Sequence, residues 1–581
     1  MTPALLRARI LPFVIGATTL ASCASQISQT APRGMPDGSG MMRADGRDLN
    51  ADEEIRHALS RLTFGPRPGD VARVRAMGLD KWIDTQLNPS TISDTAAERV
   101  LAGMETQHKR VFELIADHPD QQEVQTRFNQ TRALPGGKGV ALTRDDSAVL
   151  KRAGQVTGQL TAQLQSARVV RAVVSERQLQ EVMTDFWENH FSVFIGKMPN
   201  RYSISEYDRD VIRPRALGKF RDLLGAVAKS PEMLFYLDNY QSNVDSLHPN
   251  IDEERIEARR ARTGADSLAR EFAKLPQRHG RGVNENYARE LMELQTLGVD
   301  GGYSQADVQE VARALTGWTI EAPNLGGEFI FRSEQHDAGA KTVLGHQLAA
   351  GRGEKDGEDV LDIVATAPAT AHYITLKLAR HFVSDDPPPA LVDRCAAKFT
   401  ATTGDIRETM RCIITSPEFS SRAAYRAKVK TPFELVASTM RALGAGADTS
   451  ARTAQAIAQL GQPIYGRLTP DGWPDRGDAW MNTGAILNRI NFGFRVAAGQ
   501  LPGVRIASWP AAARLRTLPA DQQVDGVVDE LLGGDVSAET RRILVSGENP
   551  MLASAPASKN ALTGLPAIIG LALGSPEFQR R

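Results

Sequence analysis

Three cysteines in 581 residues are too few for a disulfide scaffold or a cysteine-rich zinc or iron–sulfur module. Neither sign of charge is in excess. The 69 Lys and Arg equal the 69 Asp and Glu, which argues against a general nucleic-acid binder. A mean hydropathy of -0.30 excludes a polytopic membrane protein. Familiar catalytic signatures are missing as well. There is no P-loop, no Rossmann glycine fingerprint between a strand and a helix, no Gly-x-Ser-x-Gly, no zinc knuckle, no Cys-x-x-Cys-His haem site and no His-Glu-x-x-His. What is present suits a large globular body. Hydrophobic residues make up 41 %, and 49 glycines raise the apolar share to the usual globular level. The length allows several domains or one large helical body.

Residues 1–22 read as an export signal. Arg7 and Arg9 form its basic part, and Ile10 to Leu20 its apolar stretch, too short to span a membrane as a mature helix. Leu20-Ala21-Ser22-Cys23 resembles the bacterial lipobox, so Cys23 would carry the lipid, palmitate included, and become the first mature residue. Ala24, rather than Asp, leans towards the outer membrane. Arg7 and Arg9 are not adjacent, so the twin-arginine route is not signalled. The expectation is a lipid-anchored protein in the outer membrane, facing the periplasm or the cell surface, that acquires any cofactor after export. Loss of 1–22 removes two arginines and no acids, leaving a slightly acidic mature chain. Residues 23–50, rich in Ser, Gly, Pro and Gln, read as a flexible tether.

Residues 51–581 read as one mainly α domain. Ile55, Leu59 and Leu62 share a helix face, and Gly65-Pro66-Arg67-Pro68 breaks the helix. Residues 119–148 are polar and read as a long loop. Leu179, Val182, Met183, Phe186, Trp187, His190 and Phe191 follow helical spacing over three turns. Ser-Pro-Glu occurs at Ser230, Ser416 and Ser575, each time as a helix start: a capping Ser, Pro in the first turn, and Glu at the positive end. Residues 245–280 are a charged, solvated helical insertion. Thr319-Ile320, Phe329–Phe331 and Thr342–Leu344 predict a small hairpin or three-stranded β-ribbon.

The richest stretch runs from Asn284 to Trp318. Asn284 caps a helix predicted to run about four turns to Gly298, with Tyr287, Leu291 and Leu294 as its apolar stripe. Glu290 and Glu293 are neighbours on an adjoining face, where two carboxylates repel unless exposed, Arg-paired, metal-bound or sharing a proton. Ser304 and Asp307 form a capping box for a second helix carrying Val308, Val311, Ala312 and Leu315. His190 lies on an apolar face, which favours its neutral form. It reads either as a core histidine satisfied by hydrogen bonds or as a general base or metal ligand. His336-Asp337 reads either as a turn or as a functional pair, with Lys341 available to an anion.

This helix pair resembles the bacterial family known as domain of unknown function 1800. Leu59-Ser60-Arg61-Leu62-Thr63-Phe64-Gly65 is similar to its N-terminal motif. Phe186-Trp187-Glu188-Asn189-His190-Phe191, His336-Asp337 through Lys341 to Gly345, and Thr469-Pro470-Asp471-Gly472-Trp473-Pro474 are similar to others. Gln295 departs from the pattern, standing where many relatives carry His. The resemblance covers residues from about 52 onward. It implies an exported helical domain, and no established reaction. It also suggests a partner, because relatives are often encoded beside a second exported family that looks like sulfatases and phosphatases.

Together these features point to an extracytoplasmic enzyme of hydrolytic type. His190, Glu290, Glu293, His336 and Asp337 are its expected catalytic groups, and Asn189, Arg289, Lys341 and Arg61 its substrate contacts. His190, Glu290 and His336 supply the residue types of a divalent-metal site. The separated motifs are expected to meet in one pocket. Competing readings are a non-catalytic scaffold for another exported protein and a periplasmic oxidoreductase. Cys395 and Cys412 stand in a compartment that permits a disulfide, and spacing alone leaves the pairing open.

Overall fold

The computed structural model describes residues 48–119, 124–125, 129, 144–245, 250–263, 282–548 and 562–581. The export signal, Cys23 and nearly all of the tether lie outside the described residues. The last tether positions belong to the body instead. Leu49 is buried, Asp48 accepts from the Arg422 backbone, and Asn50 caps the first helix in a capping box with Glu53.

The body is mainly helical. The helices that build the site are α1 (Ala51–Leu62), α2 (Arg144–Val174), α3 (Gln178–His190), α4 (Glu285–Glu293) and α5 (Gln305–Ala314). They continue with α6 (Lys355–Thr366), α7 (Pro368–Phe382), α8 (Pro389–Ala401), α9 (Ile406–Ile414) and α10 (Pro432–Ala442). Between α5 and α6 lie β1 (Trp318–Ile320), β2 (Phe329–Phe331), β3 (Lys341–Val343) and β4 (His346–Leu348). The strands pair as two separate antiparallel ribbons, with Thr319 opposite Ile330 and Thr342 opposite Gln347. The predicted single ribbon is therefore two, because Thr342 pairs across a tight turn with its own neighbour.

One core joins α1, α3, α4, α5, α7 and α10. The apolar stripes read from the sequence are the buried faces: Ile55, Leu59 and Leu62 of α1, and Leu179, Val182, Met183, Phe186 and Trp187 of α3. Ser230 and Ser575 cap helices as predicted. Ser416 makes the same bond, to the Phe419 amide, but opens only a turn. The helical part of the charged insertion is Ile251–Thr263; 246–249 and 264–281 are not among the described residues. Likewise Arg144–Ser147, read as loop, begin α2. No described helix is long and apolar enough to cross a membrane.

Cys395 of α8 and Cys412 of α9 form a disulfide, with Cα atoms 5.7 Å apart. A loop of this length is worth roughly 3 kcal/mol in the loop-entropy account.

Candidate functional site

α3 ends at His190, whose ring is 2 % exposed. Its Nε2 lies 3.0 Å from the Gln295 carbonyl and its Nδ1 2.8 Å from Lys377 Nζ. A carbonyl only accepts, so Nε2 carries the proton and Nδ1 offers its lone pair to the lysine. The Gln295 carbonyl is free for this because α4 is shorter than predicted. The chain leaves the helix after Glu293, with the Gln295 amide reaching back to Glu290 and Thr296 Oγ1 donating to the Leu291 carbonyl. Burial, reinforced by the Lys377 charge, pushes the His190 pKa well below the usual imidazole value. His190 is a neutral positioning residue with both nitrogens engaged, and neither is left for a metal.

α7 contributes Lys377, Arg380 and His381, which share a face at i, i+3 and i+4 spacing among buried Ile374, Leu378, Ala379 and Phe382. Burial brings the Lys377 ammonium down to about 8, with Asp475 opposing and Arg380 assisting. Among the described residues Lys377 has no carboxylate within ion-pair distance, and neither does Arg380, whose Nε donates to the Asp385 carbonyl at 3.0 Å.

These residues line a cleft of about 450 Å³. Its far wall is the segment 462–478, clamped by Asn189. The Asn189 Nδ2 donates to the Trp473 carbonyl at 2.9 Å, and the Trp473 amide donates to its Oδ1 at 2.6 Å. Gly472 sits at φ 74° in this clamp, where a β-carbon would lie 2.1 Å from the Asn189 carbonyl oxygen. Two of the motifs therefore meet, but Asn189 is a clamp and not the expected substrate contact.

Asp475 and His381 form a carboxylate–imidazole pair, Oδ1 to Nδ1 at 3.2 Å. Burial would raise the Asp475 pKa, but His381 and Lys428 outweigh it and hold the carboxyl well below its usual range. Arg581 closes the other side of His381, 3.3 Å from Nε2, and pairs with Glu434 at 2.7 Å. Asp185 also faces the cleft. Burial raises its pKa above the ordinary carboxylate value in spite of Arg168 at 2.6 Å. The cleft thus holds a lysine that loses its proton easily, the property a general base requires.

The other expected residues lie elsewhere. His336, Asp337 and Lys341 are all buried, in a cluster beneath the β-ribbons and apart from this cleft. His336 Nδ1 bonds the Thr316 carbonyl at 2.8 Å. Asp337 accepts from Arg313 at 2.7 and 3.0 Å. Lys341 uses its three donors on the Asp337 carbonyl, the Gly339 carbonyl and Asp356. This cluster fixes the ribbons, with His336, Asp337 and Lys341 all engaged within the fold. Arg61 is fully buried behind the cleft, donating to the Val383 and Ala424 carbonyls, and does not reach the glutamates. Arg289 stands at the surface with Gln305 and Glu285.

Glu293 accepts from Tyr303 at 3.3 Å. Glu290 is half-buried. Burial first, and then Glu293 and the cleft residue Asp471, raise its pKa against the pull of Arg289. The expected metal set of His190, Glu290 and His336 is not assembled, because His336 is spent on Thr316 and Asp356 in another part of the fold. No cluster of three or more His, Cys, Asp or Glu suited to a metal occurs among the described residues.

Sequence reasoning missed Lys377, Arg380, His381, Asp185 and Asp475. A signal was available: three basic groups on one face of an otherwise apolar helix require partners or a ligand. No curated protein and no solved structure matches the chain. One family model, described as protein of unknown function (DUF1800), matches residues 57–580. The resemblance read from the motifs thus holds over nearly the whole body, and the chain belongs to that family.

Proposed function

We propose that the cleft is the active centre of a hydrolytic enzyme that works outside the cytoplasm on an anionic substrate. The observation that carries this reading is Lys377, an amine with a lowered pKa and no carboxylate partner, 2.8 Å from a neutral histidine. Neutral Lys377 takes a proton from water, and the water oxygen forms a bond to the electrophilic atom of the substrate. The bond to the leaving group breaks, and the proton taken up by Lys377 passes to the leaving group. Arg380 holds the negative charge of the substrate. His190 keeps the amine in place by accepting its hydrogen bond. The disulfide between Cys395 and Cys412 supports export, because such bonds persist in oxidising compartments. Export is completed by the proposed lipid on Cys23.

The test is turnover of 4-nitrophenyl phosphate and 4-nitrophenyl sulfate by the purified protein across pH 6–10. Expected is release of nitrophenol that rises through about pH 8 as Lys377 deprotonates and that disappears in Lys377→Met. No turnover of any probe, or equal turnover in the variant, defeats the proposal and leaves the cleft to the scaffold reading.

A further inference from the structure

A second cavity, of about 380 Å³, opens between α1, the segment after Gly65, the chain leading into α10, and residues 577–581. Four basic side chains face it from three directions. Arg56 comes from α1, Arg426 and Lys430 from the approach to α10, and Arg580 from 577–581. None of these four has a carboxylate within ion-pair distance among the described residues. The remaining basic groups here are neutralised: Arg67 by Glu176, Arg75 by Asp52, and Arg581 by Glu434. The acids at this cavity are also mostly committed. Glu530 pairs with Arg514, and Glu577 accepts from the Ser537 amide and Thr540. Asp529 is exposed. Glu53, which feels the Arg426 charge, is held by Arg422.

The geometry concentrates this charge. The Arg56 and Arg426 guanidinium nitrogens lie 3.2 and 3.6 Å from the point where a β-carbon would stand on Gly533. Arg426 is held there by the Asp535 and Leu532 carbonyls, and two like charges on one wall attract an anion. The Lys430 side chain is only 7 % exposed, yet its amine finds no acceptor. It rests 4.0 Å above the Phe578 ring. Burial lowers the Lys430 amine to about 7, and an oxyanion entering the cavity it lines would favour its charged form. His57 adds a second buried polar group in the same wall. Its ring packs on Phe419, and neither nitrogen closes a hydrogen bond of normal geometry, the Phe419 backbone being its nearest polar neighbour.

We infer that this cavity is a binding site for a phosphate monoester, held by Lys430, Arg56 and Arg426 and packed against Phe578 and Tyr425. The volume exceeds that of a bare phosphate, so a small organic group enters with it. Both a soluble phosphorylated metabolite and the headgroup of a phosphatidic lipid present this chemistry.

Calorimetric titration of the full chain with glycerol 3-phosphate, and separately with dihexanoyl phosphatidic acid, tests the assignment. Expected is saturable one-to-one binding of at least one of them, weakened at least tenfold by Lys430→Met and by Arg56→Gln. Binding should persist in Lys377→Met, whose side chain lies in the other cleft. Arg56 is partly exposed, so its variant keeps the test usable if the Lys430 variant does not fold. Tighter binding of the acyl form identifies the lipid source, and equal or weaker binding the soluble one. If neither ligand binds, if both variants bind as the parent does, or if Lys377→Met removes binding, the site is not where we place it.

Discussion

Lys377 Nζ lies 2.8 Å from Nδ1 of His190, and the histidine's other nitrogen is held by the Gln295 carbonyl. This chain of contacts fixes the imidazole as an acceptor towards the lysine. A cation whose polar partner is a neutral ring is poorly stabilised, and that sets the first prediction. The Lys377 pKa lies near 8 in the folded protein against 10.5 for the free group. Between those values the unfolded chain binds the additional proton, so stability rises with pH from about 8 to about 10.5 and is penalised below 8. Lys377→Met should therefore unfold at higher urea at pH 7, by roughly 1–3 kcal/mol, while losing turnover. A folded variant less stable than the parent at pH 7 contradicts the charge state assigned to the amine.

Asn189→Ala removes both hydrogen bonds that clamp Trp473. The expected loss is about 2 kcal/mol, with faster proteolysis confined to 462–478. Gly472→Ala is expected to be worse, at roughly 2–4 kcal/mol, because it combines a positive φ with a collision against the Asn189 carbonyl. Denaturant midpoints for the two variants give the comparison. If Gly472→Ala proves the milder, the clamp is not built as described.

Lys341→Met leaves Asp356 and two carbonyls without their buried donor. Breaking such a pair on one side should destabilise the fold by about 3–5 kcal/mol. Because this cluster is separate from the cleft, whatever turnover the parent shows should persist per folded molecule, with an unshifted pH profile. A moved profile would put Lys341 back among the site residues.

Cys23→Ser should abolish lipid labelling and release the protein from membranes. Unchanged labelling in the variant ends the lipoprotein reading. Reduction of the Cys395–Cys412 bond should lower stability by roughly 3 kcal/mol, and intact mass spectrometry of exported protein should find no free thiols at those two positions.

The elements were legible where local chemistry decides them. The stripes of α1 and α3 and the caps at Asn284 and Ser304 depend on residues three or four apart, and the structure has them. The site was legible only as separate motifs. His190 was singled out as a catalytic or metal residue, but its partner is a lysine 187 positions away on a helix that reads as core. His336 and Lys341 resemble functional groups because they are polar and closely spaced. Their satisfaction comes from Asp356, Thr316 and Gly339, and periodicity carries no information about which carbonyl or carboxylate will lie opposite. Arg61 shows the same limit: a guanidinium beside two glutamates and one tied to the Val383 and Ala424 carbonyls have identical local sequence.

A single guanidinium stands between the two cavities. Arg581 lines the second one, while its nitrogen holds Glu434 and His381 of the first. An anion arriving near Arg581 competes with Glu434 for the same positive charge, and loosening that bond alters the field at His381. Free energy exchanged this way is reciprocal: whatever factor a phosphate ester applies to affinity in the cleft, the cleft's own ligand applies to the phosphate ester. Arg581 would thus link the two proposed sites, and the strength of that link can be read by titrating either ligand in the presence of the other.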